Sequence, residues 1–176
     1  MKFITKITVV FVILGTLLIS SCLKPEEYAT EPKIEYVSFE PQGDSSGIFV
    51  VSFTDGDGDI GLDIEDTLTP FEPSSFYYYN MYFDYYEIVD GDTVRGTSDP
   101  SGNNFPTADP ITLAFRIENI TPIGQNKALK GEIKTTLEPR YYNFGATSND
   151  SILFKIVLID RALNISNELI TPIITR

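Results

Sequence analysis

The chain has no histidine, no tryptophan and one cysteine. Without histidine it lacks the commonest acid–base group at neutral pH, so Ser-His-Asp and Cys-His catalysis and histidine-ligated zinc sites are excluded. One cysteine cannot form an intramolecular disulfide, which leaves stability to a hydrophobic core. Basic residues are also scarce: 13 Lys and Arg face 25 Asp and Glu, for a formal net charge of −12. Nucleic acid and anionic lipid are therefore not expected partners, because their phosphates would be repelled. Cations or a cationic surface suit this charge, although an acidic surface also serves simply to keep an exported protein soluble. No stretch of useful length carries helical periodicity, and this absence turns the reading toward strands.

The first 22 residues read as a targeting segment. Lys2 and Lys6 form a short basic region, and Ile7 to Ile19 is apolar except for Thr8, Gly15 and Thr16. That run falls short of the roughly 20 residues needed to span a bilayer as a helix. Ser20, Ser21 and the lone Cys22 follow, and this ending resembles a bacterial lipobox. The resemblance implies cleavage after residue 21 and covalent lipid on Cys22, with an ordinary signal peptide and a single transmembrane anchor as the alternatives. Residues 22–33 then form a polar, proline-punctuated tether. The expected organisation is a signal peptide over 1–21, a lipidated cysteine and tether over 22–33, and one domain over 34–176. The mature chain keeps 11 basic and 25 acidic residues, a formal charge of −14.

Beyond the tether, short apolar runs alternate with Gly, Pro and Asn turns. The pattern predicts strands over Ile34–Phe39, Gly47–Thr54, Phe76–Val89, Ile111–Ile117, Ala128–Leu137, Ser151–Ile159 and Leu169–Ile174. In the first, Ile34, Tyr36 and Ser38 share one face. In the third, Tyr77, Tyr79, Met81, Phe83 and Tyr85 line one face at period two. Tyr78, Tyr82 and Tyr86 fall on the other, either as an exposed binding surface or packed beneath a loop. Asp90-Gly91-Asp92 reads as a hairpin turn. Many short strands favour an all-β antiparallel sandwich, with a small closed barrel as the alternative.

The chemistry-bearing stretch is Phe53-Thr54-Asp55-Gly56-Asp57-Gly58-Asp59-Ile60-Gly61. Asp55, Asp57 and Asp59 alternate with glycines that permit a tight turn, and carboxylate oxygens suit a hard cation such as calcium. The spacing is not that of an EF-hand: Ile60 stands where that loop needs glycine, and Asp66 where it needs glutamate. If the strand ending at Ile159 finishes beside this loop, Asp160 and Asn164 join the ligand set. The competing reading is metal-free turn chemistry, with aspartates satisfying loop N–H groups and Arg161 neutralising a carboxylate. Paired carboxylates also perform glycoside hydrolysis, which requires two of them roughly 5–9 Å apart across an open cleft. No catalytic residue is assigned.

Several segments together carry a family resemblance. They are the ending at Cys22, the Phe53–Gly61 loop, Tyr77-Tyr78-Tyr79-Asn80-Met81-Tyr82, and Ile159-Asp160-Arg161-Ala162-Leu163-Asn164-Ile165-Ser166-Asn167. The chain resembles a family of uncharacterised Bacteroidetes lipoproteins, and its last segment is similar to the closing strand of bacterial immunoglobulin-like domains, matched at Asp160, Ala162, Asn164 and Ser166. The resemblance implies an immunoglobulin-like sandwich anchored by lipid to the bacterial outer membrane, on the cell surface or the periplasmic face. It implies no activity. The expected role is structural or adhesive, toward an envelope protein or glycan, with a carbohydrate- or protein-binding accessory module as the alternative and a glycosidase-like enzyme as the second.

Overall fold

A computed structural model describes residues 27–43, 46–98, 109–121, 127–138 and 151–175. The signal peptide, Cys22 and the start of the tether lie outside the described residues. Strand dominates, in antiparallel sheets, and there is no α-helix among the described residues.

One sheet holds β1 (Lys33–Gln42), β2 (Ser46–Asp55) and β8 (Leu129–Leu137), with β2 in the centre. The second is built on β3 (Met81–Val89) and β9 (Ser151–Leu158), paired along their lengths. The outer edge of β3 takes β4 (Asp92–Arg95) and β7 (Thr112–Phe115). The outer edge of β9 takes β10 (Leu169–Ile170) and β11 (Ile174–Thr175). A two-residue pair, β5 (Thr97–Ser98) with β6 (Asp109–Pro110), stands apart.

Strand alternation explains the core. Phe49, Val51 and Phe53 of β2 lie opposite Thr135, Ile133 and Gly131 of β8. Facing them, Met81, Phe83 and Tyr85 of β3 are paired with Leu158, Ile156 and Phe154 of β9. The two layers meet where the Phe49 ring packs edge-on against Phe83, with centroids 5.5 Å apart, and against Phe154 at 6.3 Å. Most of these side chains are fully buried, and each large apolar group so buried contributes about 1.5–3 kcal/mol.

Two expectations are corrected. In β1 a bulge at Val37 shifts the register, so Phe39 joins Ile34 and Tyr36 on the core side in place of Ser38. The bulge leaves Val37 exposed and lets β1 keep its aromatic contact with Phe49. The third strand starts at Met81 rather than Phe76, because Phe76–Tyr78 form a 3-10 turn capped by the Ser75 hydroxyl. The domain boundary expected at residue 34 is refined only in that the carbonyl of Ala29, ahead of it, accepts from the N–H of Gly56 at 2.7 Å.

The registers place one set of loops together. β2 runs toward Asp55, β9 runs toward Leu158 opposite Met81, and β1 begins at Lys33 opposite Thr54. The acidic loop, the segment after β9, the lead into β3 and the start of β1 therefore share one end. The β3–β4 hairpin lies at the other, with Asp90 and Gly91 both at positive φ, as the Asp-Gly pair predicts.

Candidate metal centre

Asp55 is the last residue of β2, on the inward-facing parity of Phe49, Val51 and Phe53. That parity carries its carboxylate into the interior, where it is 0% exposed. The chain then turns sharply. Gly58 sits at φ +66, and a Cβ there would lie 1.7 Å from the Lys127 carbonyl oxygen, so only glycine fits. The N–H of Asp59 returns to Asp55 Oδ2 at 2.9 Å. Beyond the loop, Leu62 bridges to Glu118 in parallel.

The other half comes from the end of β9. Asp160, 1% exposed, follows Leu158 and Ile159. The N–H of Arg161 donates to the Asp59 carbonyl at 3.1 Å, joining the two segments directly. Asn80, which the sequence places inside the predicted 76–89 strand with nothing to single it out, holds the same corner. Its carbonyl accepts from Ile159 N–H at 2.8 Å, and its side chain bonds both the N–H and the carbonyl of Ile117.

Asp55, Asp57, Asp59 and Asp160 each bring one carboxylate oxygen to within 4.8 Å of the others. Oxygens across a calcium ion stand about 4.6–5.2 Å apart, twice a bond of roughly 2.3–2.6 Å, so the spread suits that ion. Asp55 Oδ1, Asp57 Oδ1 and Asp59 Oδ1 are buried and have no hydrogen-bond partner. Burial, and then the charge of Asp57, pushes the Asp55 carboxyl up to about 7. Burial, and then Asp160, pushes Asp59 up to about 6. Asp160 is also raised, chiefly by burial.

Arg161, which could neutralise a carboxylate in the metal-free reading, makes its ion pairs outside the cluster, while its charge still acts on Asp59. It reaches away, to Asp63 Oδ2 at 2.9 Å and Asp66 Oδ1 at 2.7 Å. Arg116 holds the same turn through the carbonyls of Asp63 and Asp66. Among the described residues no lysine or arginine forms an ion pair with Asp55, Asp57, Asp59 or Asp160. Asn164 meets Asp160 through its two donors. Its backbone N–H donates to Asp160 Oδ1 at 2.7 Å and its Nδ2 to Asp160 Oδ2 at 2.8 Å. A carboxylate only accepts, so the amide must turn its NH2 toward Asp160. Through these two bonds Asn164 orients the Asp160 carboxylate.

The tyrosine row does not form. Tyr78 lies in the 3-10 turn beneath the Arg116 guanidinium, 4.8 Å from its ring centroid. Tyr82 is 9% exposed, stacked on Phe76 at 4.6 Å, and its hydroxyl donates to the Phe76 carbonyl. Tyr86 has Arg95 and Lys155 within 5.1 and 5.2 Å of its ring centroid. The 76–78 turn breaks the period-two pattern that would have aligned the three.

At this centre the four carboxylates converge, with Asp55 and Asp160 sealed from solvent, whereas glycoside hydrolysis uses two carboxylates across an open cleft. Comparison with protein-family models, with curated proteins and with solved structures finds no match to this chain.

Proposed function

We propose that this chain is a lipid-anchored domain of the bacterial envelope, with a structural or adhesive role, whose loops at one end are clamped by a calcium ion. Asp55, Asp57, Asp59 and Asp160 would hold the ion, and Asn164 would orient Asp160. The observation that carries the metal reading is the set of three buried carboxylate oxygens without a hydrogen-bond partner, in a cluster with which no basic side chain among the described residues forms an ion pair. Isolated turn aspartates would each find an N–H or a cation. Four like charges at this spacing repel strongly unless protonated or bound to metal.

An immunoglobulin-like topology is part of the proposal. The orders β1-β2-β8 and β10-β9-β3-β4 follow the A-B-E and G-F-C-C′ orders of such sandwiches. The anchor rests on the residues ending at Cys22, and either the cell surface or the periplasmic face of the outer membrane suits it. A binding-module reading draws on a different observation. A cleft of about 520 Å³ opens along the edge of β7, lined by Tyr79, Leu113, Phe115, Thr136 and Glu138, and it would suit a glycan or an envelope protein.

The metal reading is tested by thermal unfolding of the chain from Leu23 onward, in chelator and in calcium. A clear rise of the midpoint in calcium is expected. An unchanged midpoint would overturn it.

A further inference from the structure

The tether reaches the domain at the acidic end. Ala29 is hydrogen-bonded to Gly56, and Tyr28 C=O lies against the same glycine. Asn167, from the segment after β9, clasps Ile34 from both sides, accepting from its N–H at 2.9 Å and donating to its carbonyl at 3.0 Å. Both halves of the metal centre thus hold the start of the chain. From Cys22 to Tyr28 is six residues, which span at most about 20 Å when fully extended. The ten residues of β2 extend about 33 Å, so the β3–β4 hairpin lies well beyond that reach.

Six of the ten large apolar side chains exposed among the described residues lie in segments that meet at this end, while Val37, Val94, Ile170 and Ile173 stand elsewhere. Ile64 is 85% exposed and Leu68 81%, and Phe76, Tyr79, Ile120 and Ile165 also stand open in segments that join strand ends there. The turn bearing Ile64 is not loose. Arg161 and Arg116 grip it, and Asn119 Nδ2 donates to Asp63 at 3.0 Å. Ile64 and Leu68 thus present aliphatic tips from a turn held in place rather than from a free loop.

We infer that the aspartate end of the domain faces the bilayer and that Ile64 and Leu68 seat in its headgroup region. The inference rests on the lipid anchor at Cys22. The short tether brings this end to the membrane, and the aliphatic tips supply apolar area for the interface. A cation at the four aspartates removes local negative charge that would oppose a phospholipid surface.

The test uses the full chain, lipidated in cells and reconstituted into zwitterionic phosphatidylethanolamine–phosphatidylcholine vesicles with calcium present. Ile64→Cys and Leu68→Cys are compared with Thr93→Cys in the distant hairpin, each labelled with an environment-sensitive fluorophore. All three sites are exposed, so an unchanged thermal midpoint verifies the fold. Labels at 64 and 68 are expected to shift to the blue and to be quenched several-fold more than the label at 93 by lipids carrying a shallow nitroxide. Equal, weak quenching at all three sites overturns the inference while leaving the anchor intact. Mass spectrometry of the Cys22 peptide separates the two failures. An acyl mass with weak quenching rejects the orientation alone, whereas an unmodified Cys22 rejects the anchor and the orientation with it.

Discussion

Asp55 and Asp160 close the same end of the domain from opposite sheets, their carboxylate oxygens within 4.8 Å and both side chains sealed from water. Neither is placed there by its own loop. Asp55 is carried inward by the parity of β2, and Asp160 by the pairing of β9 with β3. Two buried charges of one sign in contact across a sheet interface call for a cation or for protons.

Asp55→Asn should therefore act in opposite directions in the two states. In chelator it removes one crowded charge while its amide oxygen still accepts from Asp59 N–H, so the thermal midpoint rises. In calcium it removes a ligand. Calcium at a hundred times its dissociation constant adds about 2.7 kcal/mol. That is worth roughly 5–11 °C in a domain of this size. The variant should lose most of that increment, read by thermal unfolding with and without calcium.

The pH dependence of the metal-free protein follows from Asp55 at about 7 and Asp59 at about 6. Both lie above the unfolded value near 3.8, so the native state takes up protons first. Stability from these groups is fully present below about pH 4 and is lost as pH rises through 6 to 7. In chelator, denaturant midpoints should fall from pH 5 to pH 8. Saturating calcium should reverse this trend, because the ligands bind only when deprotonated.

Gly58→Ala tests the loop itself. It forces a side chain into positive φ and against the Lys127 carbonyl. The backbone cost alone is about 1–2 kcal/mol, and the displaced loop should also weaken calcium binding. A midpoint within error of the parent would show that the loop is not held as described.

Asn164→Ala removes the Nδ2 contact with Asp160 and leaves the backbone bond in place. Loss of such an outer partner typically costs 10- to 100-fold in metal affinity. A decrease near ten-fold, with heat of binding retained, is the expected titration result. Complete loss of binding would make Asn164 a direct ligand.

Much of this was legible in the sequence where local pattern and tertiary structure agree. The alternation Leu129-Gly131-Ile133-Thr135 predicts the inner face of β8, and Asp-Gly-Asp-Gly-Asp after a β-branched run marks the loop. What local pattern could not supply is long-range. The bulge at Val37 exists because Phe39 must meet Phe49. The Tyr78–Tyr82–Tyr86 row fails because Ser75 caps a turn that resets the register. Arg161 stands next to Asp160 in the chain yet pairs with Asp63 and Asp66, a choice fixed only by where the 63–66 turn folds back. Asn80 reads as one more residue inside the predicted 76–89 strand until its four backbone bonds are traced.

The central claim is that the four aspartates hold calcium, and calorimetric titration of calcium into chelator-stripped protein tests it most directly. One binding event per chain is predicted for the parent, abolished in Asp55→Asn combined with Asp160→Asn while the double variant remains folded. No heat from the parent, or the same heat from the double variant, would contradict it.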